Sequence, residues 1–63
     1  MPVVNITMIK GRTDEQKTDL YREVTEAIQR TTGAPAESVR IILNEIEPKH
    51  FAVAGKPKTG PSS

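Results

Sequence analysis

Hydrophobic and polar positions alternate at the start of the chain. Residues 2–9 read PVVNITMI, so the side chains of Val4, Ile6 and Met8 share one face of an extended segment, with Val3 on the other. An alternation with a period of two residues is typical of a β-strand. Because both faces carry apolar side chains, we expect both faces of this strand to be covered.

A helix is predicted between two clear end signals. Thr13 and Gln16 have the spacing of a capping box, in which each side chain accepts a hydrogen bond from the backbone of the other residue. Gly33 suits the left-handed cap at the C-terminal end, and Pro35 prevents the helix from restarting. Between these signals the apolar positions recur with helical spacing. They are Leu20, Tyr21, Val24, Ala27, Ile28 and Thr31.

The alternation returns in residues 38–46, which predicts a second strand with Val39, Ile41 and Leu43 on one face. A strand, a helix of about five turns and a strand make a β-α-β unit. The two strands are therefore expected to be parallel, with a right-handed crossover. The predicted fold class is α+β, with the helix covering one face of the sheet.

The C-terminal part divides into a short apolar stretch and a tail. Residues 50–55 (HFAVAG) are expected to form a small hairpin or an edge strand. Residues 56–63 (KPKTGPSS) offer nothing to bury, so we expect them to be mobile. The predicted organisation is one domain over residues 1–56 and a flexible tail over residues 57–63.

A chain of 63 residues cannot bury these surfaces alone. A two-stranded sheet is not independently stable, and one helix cannot cover both of its faces. There is no cysteine, which excludes disulfides and thiolate metal sites, and a lone His50 cannot build a metal cage. We therefore expect the chain to associate with copies of itself.

Composition and charge exclude several partners. Nine basic and eight acidic residues give a net charge of +1, which provides no electrostatic footprint for nucleic acid or an acidic membrane. Tyr21 and Phe51 are too few aromatics for a base-stacking platform. No apolar run is long enough to cross a membrane, and no signal-peptide pattern is present. We expect a cytoplasmic protein that binds neither nucleic acid nor membrane.

Pro2 is the first candidate for chemistry, and it allows two interpretations. In the structural one, proline is tolerated because the first position of a strand need not donate a ladder hydrogen bond. In the functional one, Met1 is removed and Pro2 carries a free secondary amine. An apolar wall such as Phe51 and nearby cations would lower the pKa of that amine toward the working pH of a general base.

Two arginines outside the helix, Arg12 and Arg40, complete the candidate set. Parallel strands begin at the same edge of a sheet, so Arg40 is expected beside Pro2. Arg12 lies past the far end of the first strand, on the order of 30 Å from Pro2, and would have to come from a symmetry-related copy. Arginines bind carboxylates and stabilise developing enolate charge, which indicates a tautomerase. A solvated strand arginine and a merely packed Phe51 are the structural alternatives.

The sequence resembles the 4-oxalocrotonate tautomerase family, the small-subunit branch of the tautomerase superfamily, over residues 2 to about 56. The stretches that carry the resemblance are Pro2 and residues 11–17 (GRTDEQK), 23–28 (EVTEAI), 38–40 (SVR) and 50–55 (HFAVAG). It implies a β-α-β protomer with a short C-terminal hairpin, assembled as a homohexamer, a trimer of dimers. It also implies conversion of 2-hydroxymuconate-like dienol acids to their keto isomers in aromatic catabolism, without cofactor or metal.

The resemblance also implies a role for each matched residue. Pro2 would be the general base, and Arg40 would bind one substrate carboxylate and the carbonyl oxygen from a neighbouring subunit. Arg12, also from a neighbour, would bind the distal carboxylate. Phe51 would form the apolar wall, and the backbone amide of Ile9 would act through ordered water. The superfamily also contains dehalogenases and decarboxylases, so these reactions and a non-catalytic carboxylate-binding oligomer are the alternatives.

Overall fold

A β-α-β unit followed by a small antiparallel hairpin makes up the computed structural model, which describes residues 1–58. The two long strands are parallel and in register from Val3, opposite Arg40, to Ile9, opposite Ile46. Two single-turn 3₁₀ helices connect the elements. In chain order the elements are β1 (Val3–Ile9), α1 (Asp14–Thr32), a 3₁₀ turn (Ala36–Ser38), β2 (Arg40–Ile46), a 3₁₀ turn (Pro48–His50), β3 (Ala52–Val53) and β4 (Lys56–Pro57).

Both ends of α1 carry the predicted caps. The backbone amide of Gln16 donates to Thr13 Oγ1 at 3.1 Å, and the amide of Thr13 donates to Gln16 Oε1 at 3.0 Å. Gly33 has a φ of 79° and its amide donates to the carbonyl of Gln29 at 3.0 Å. The predicted start and end of the helix are confirmed, because capping chemistry within a few residues determines each.

The two faces of the sheet are covered unequally. Helix α1 lies over one face, to which it is tied by a hydrogen bond from Lys17 Nζ to Glu45 Oε1 of 2.9 Å. The strand residues of that face are half-buried: Val4, Ile6, Met8, Ile41 and Leu43. On the other face Val3 and Ile42 are about half exposed, and Ile9 alone among residues 1–58 is buried. The expectation that the helix covers only one face is met.

Strand β2 begins two residues later than predicted, at Arg40 instead of residue 38. The amide of Ser38 donates to the carbonyl of Pro35 at 3.0 Å, and the amide of Val39 donates to Ala36 at 3.1 Å. These bonds close a 3₁₀ turn, so both amides are unavailable to the ladder. The alternation of side chains therefore begins before the strand does.

The C-terminal hairpin extends further than predicted. Ala54 has a φ of 54° and Gly55 a φ of 79°, as a two-residue type I′ turn requires. Lys56 and Pro57, expected at the start of the mobile tail, instead form β4. The rest of the predicted tail, residues 59–63, lies outside the described residues.

The described chain is an elongated slab with extents of 41 × 24 × 14 Å. Its radius of gyration is 14.2 Å, whereas a compact domain of this length would have about 10 to 11 Å. One helix on a two-stranded sheet explains the thin dimension.

Within residues 1–58, no helix is long and apolar enough to cross a membrane.

Candidate active site

Pro2 and Arg40 lie side by side at the edge of the sheet where both long strands begin. The backbone amide of Arg40 donates to the carbonyl of Pro2 at 2.9 Å, one position before the Val3–Arg40 register pair. Pro2 is half-buried, whereas Met1 is 81% exposed. The expected proximity of Pro2 and Arg40 follows directly from the parallel register.

The guanidinium group of Arg40 is exposed and turns toward the preceding 3₁₀ turn. Its Nη1 donates to the backbone carbonyl of Glu37. The ion pairs found among residues 1–58 involve Lys10, Lys17 and Arg22, not Arg40 or Arg12. The charges of Arg12 and Arg40 are therefore available to an anion in this part of the chain.

Arg12 lies at the opposite edge, just past the end of β1. It is half-buried, and its Nη1 is 3.5 Å from the carbonyl oxygen of Gly11. It borders a cleft of about 250 Å³ whose other lining residues are Met8, Gln16, Lys17 and Leu20. The seven-residue step from Pro2 to Ile9 spans about 23 Å. Arg12 therefore cannot reach Pro2 of its own chain.

A second cleft at this edge brings Ile9 and Phe51 together. Its volume is about 290 Å³, and its lining is mostly apolar: Thr7, Met8, Ile9, Ile46, Phe51 and Lys58. Phe51 is 42% exposed, which leaves an aromatic surface open to a ligand. Ile9 and Phe51 thus form an apolar wall within one chain.

The predicted site residues consequently occupy three places in one chain. Pro2 and Arg40 share the edge where the strands begin, Arg12 borders one cleft, and Ile9 and Phe51 line the other. A single chain does not bring all five together.

Lys58 lines the apolar cleft but was not among the predicted site residues. The signal that would have indicated it is the Ala54-Gly55 dipeptide. A two-residue turn at this point sends the chain back along β3 and returns residue 58 to the neighbourhood of Phe51. Because the tail was predicted to be mobile from residue 56 onward, the position of Lys58 beside Phe51 was not predicted.

Two ion pairs lie at the carboxyl edge of the sheet. Lys10 Nζ is 2.9 Å from Glu47 Oε2, and the hydrogen bond and opposite charge raise the pKa of Lys10 and lower the pKa of Glu47. Lys17 Nζ is 2.9 Å from Glu45 Oε1, a hydrogen bond that raises the pKa of Lys17. Residues 1–58 contain no cluster of three His, Asp or Glu side chains that could hold a metal ion.

Comparison with known proteins identifies the family. The family model described as "Tautomerase enzyme" matches residues 2–60 of the chain, beginning at Pro2. The chain belongs to the tautomerase family. The resemblance inferred from residues 2 to about 56 is thus confirmed, and the tautomerase match includes every predicted site residue.

Relatives of known name and structure agree with the family and the fold. The 2-hydroxymuconate tautomerase of Bacillus subtilis (strain 168) is 50% identical over 56 residues, which cover 89% of this chain and 90% of the relative. A solved heterohexameric 4-oxalocrotonate tautomerase from Chloroflexus aurantiacus superposes with a TM-score of 0.85 at 37% identity, covering 90% and 92% of the two chains. A solved homologue of 4-oxalocrotonate tautomerase has a TM-score of 0.85 at 48% identity, covering 89% and 92%. The predicted β-α-β fold with a C-terminal hairpin is confirmed for this tautomerase.

Proposed function

We propose that this tautomerase is a cofactor-independent isomerase that converts 2-hydroxymuconate-like dienol acids to their keto isomers. The amine of Pro2, freed by removal of Met1, takes up the hydroxyl proton of the dienol and returns it to a carbon of the conjugated chain. One observation carries the proposal: Pro2 heads β1 beside Arg40, in a chain that the family model matches from residue 2 onward. The 81% exposure of Met1 makes it accessible to processing.

A proline amine suits this reaction only if it is unprotonated near neutral pH. Ordinary α-amines titrate near 7.7–8.0, and neighbouring guanidinium groups and an apolar wall both disfavour the protonated form. Arg40 beside Pro2, and Phe51 supplied by a neighbouring copy, would provide these two effects. A base with a pKa near the working pH transfers protons efficiently in both directions.

Arg40 and Arg12 hold the two carboxylates of the substrate in this proposal. The guanidinium fork matches a carboxylate in bidentate fashion, and the positive charge stabilises the enolate that forms when the proton leaves. Because Arg12 lies at the opposite edge of its own chain from Pro2, each site combines residues of more than one copy. We propose a homohexamer, a trimer of dimers, in which the uncovered apolar face carrying Val3 and Ile42 is buried.

The test begins with the intact mass of the purified protein, which is expected to lack one methionine. Pro2→Ala, which leaves a primary amine of different basicity, is expected to lower kcat/KM for 2-hydroxymuconate about a hundredfold, the scale of general acid–base catalysis. Glu26→Gln, at an exposed position of α1 away from the predicted site residues, is the control and should retain activity.

Two results would contradict the proposal. One is full activity of a preparation that retains Met1, because the nitrogen of Pro2 is then an amide without a usable lone pair. The other is absence of enol–keto conversion after complete removal of Met1, which would favour a non-catalytic carboxylate-binding oligomer. Light scattering on each variant separates loss of chemistry from loss of assembly.

A further inference from the structure

The apolar cleft beside Phe51 contains one cationic side chain, Lys58. The remaining lining residues are apolar except for Thr7. Lys58 is half-buried, whereas Lys56 and Pro57, directly before it, are exposed. Lys58 is therefore partly withdrawn from water beside the cleft, whereas Lys56, the lysine of β4, is exposed.

Backbone hydrogen bonding holds Lys58 next to Phe51. The amide of Lys58 donates to the carbonyl of Phe51 at 2.8 Å, one step beyond the Ala52–Pro57 pair of the hairpin. The turn at residues 54–55 returns the chain so that residue 58 lies opposite residue 51. The position of Lys58 is thus set by the same hairpin that follows the aromatic wall.

The ammonium group of Lys58 is not engaged by an acid in the described part of the chain. The ion pairs found within residues 1–58 use the carboxylates of Asp14, Asp19, Glu23, Glu45 and Glu47 with other cations. A positive charge at the side of an apolar cleft attracts an anion more strongly than the same charge in bulk water, because the local dielectric constant is lower. The complementary ligand is a carboxylate attached to a hydrocarbon chain.

We propose that Lys58 is a specificity-determining residue of this site. Its ammonium group, together with Arg12, binds the distal carboxylate that a monocarboxylate lacks, while the unsaturated carbon chain lies against Ile9 and Phe51. The proposal rests on the proposed function and deepens it, because a cation additional to Arg12 and Arg40 favours dicarboxylates over monocarboxylates. Lys58 thereby raises affinity for the doubly charged substrate without taking part in proton transfer.

The test compares Lys58→Met, which keeps the apolar stem and removes the charge, with Lys56→Met as the matched control. Each variant is assayed with 2-hydroxymuconate, which has two carboxylates, and with 2-hydroxypenta-2,4-dienoate, which has one. Lys58→Met is expected to raise KM for the dicarboxylate about threefold to tenfold and to leave kcat and the monocarboxylate KM within about twofold. Lys58→Arg should restore the dicarboxylate KM, and Lys56→Met should change neither substrate.

Equal effects of Lys58→Met and Lys56→Met, or equal effects on both substrates, would overturn the assignment. If the unmodified protein isomerises neither substrate, the proposed function fails but Lys58 is still tested. Calorimetric binding of muconate, a dicarboxylate without the enol hydroxyl, should then weaken by the same factor in Lys58→Met. Unchanged muconate binding, or no binding to the unmodified protein, overturns the inference. Lys58→Gln replaces Lys58→Met if the latter does not assemble.

Discussion

At the scale of single residues, Lys10 and Glu47 join the points where the two long strands end. Their charged atoms are 2.9 Å apart, and both side chains are about half exposed. An exposed pair of this kind stabilises a fold only slightly and is weakened by salt. Its role is local, because Glu47 directly precedes the 3₁₀ turn that leads to Phe51.

The coupling between Lys10 and Glu47 is predicted to depend on pH. Because folding lowers the pKa of Glu47, its contribution is present above the ordinary glutamate pKa and is lost as the pH falls through the lowered value. Folding raises the pKa of Lys10, so its contribution is present below the ordinary lysine pKa and is lost as the pH rises through the raised value. The pair therefore stabilises the folded protein at pH values between the pKa of Glu47 and the pKa of Lys10.

A double-mutant cycle of Lys10→Met and Glu47→Gln measures this coupling. Urea unfolding at a fixed protein concentration and low salt should give a stabilising interaction at pH 7 that becomes smaller as the pH is lowered toward 2 and Glu47 takes up a proton. An interaction of the same size at both pH values would contradict the assignment of the pair.

The sequence predicted some of these residue positions and not others. The proximity of Pro2 and Arg40 and the remoteness of Arg12 were predictable, since β-α-β connectivity determines which strand ends share an edge. Lys58 was not, because its place depends on a return strand of two residues that includes Pro57. A strand of two residues is too short to show the alternation of apolar and polar side chains that predicts a strand.

At the scale of elements, the C-terminal hairpin contains a strained residue. Ala54 adopts a left-handed conformation with a φ of 54°, which an L-residue with a Cβ disfavours by about 1–2 kcal/mol. Gly55 adopts a similar φ without this cost. Asparagine is the residue commonly found before glycine in a type I′ turn, because it tolerates the left-handed region.

Ala54→Asn is predicted to stabilise the hairpin by about 0.5–1 kcal/mol. The measurement is hydrogen exchange of the Lys58 amide, whose bond to Phe51 closes the hairpin. Exchange should slow about twofold to fivefold in Ala54→Asn. Ala52→Asn is the control, because Ala52 lies in β3 and its φ is not positive. This variant should not slow exchange. Equal exchange rates in the two variants would contradict the assignment of strain to Ala54.

Elements were predictable from sequence where their limits are local. Both caps of α1 depend on residues within four positions of each other, so Thr13, Gln16 and Gly33 indicated the ends correctly. The start of β2 was not predictable from alternation. The amides of Ser38 and Val39 bond back into a turn while their side chains continue the pattern of the strand.

At the scale of the whole molecule, the dispersion of the site residues is the dominant feature. Pro2 and Arg12 lie at opposite edges of a slab that buries a single side chain among the described residues. If each site takes these two residues from different chains, two inactive variants can complement each other.

Mixing Pro2→Ala chains with Arg12→Ala chains is predicted to restore activity. After joint unfolding and refolding at equal concentrations, random assembly would give about one quarter of the sites an intact Pro2 and an intact Arg12. The measurement is kcat of the mixture relative to each variant alone. Refolding Pro2→Ala with the Pro2→Ala/Arg12→Ala double variant is the control, and no recovery in the first mixture would place both residues in one chain.

The two-stranded sheet has a further consequence for the newly synthesised chain. Among residues 1–58 each of the two long strands pairs along one side only, so a lone subunit presents unpaired strand sides to any extended polypeptide. Pairing with its own copies grows with the square of the subunit concentration, whereas capture by other unfolded chains grows only in proportion to it. A subunit concentration too low for assembly therefore leaves these strand edges exposed to capture by other chains.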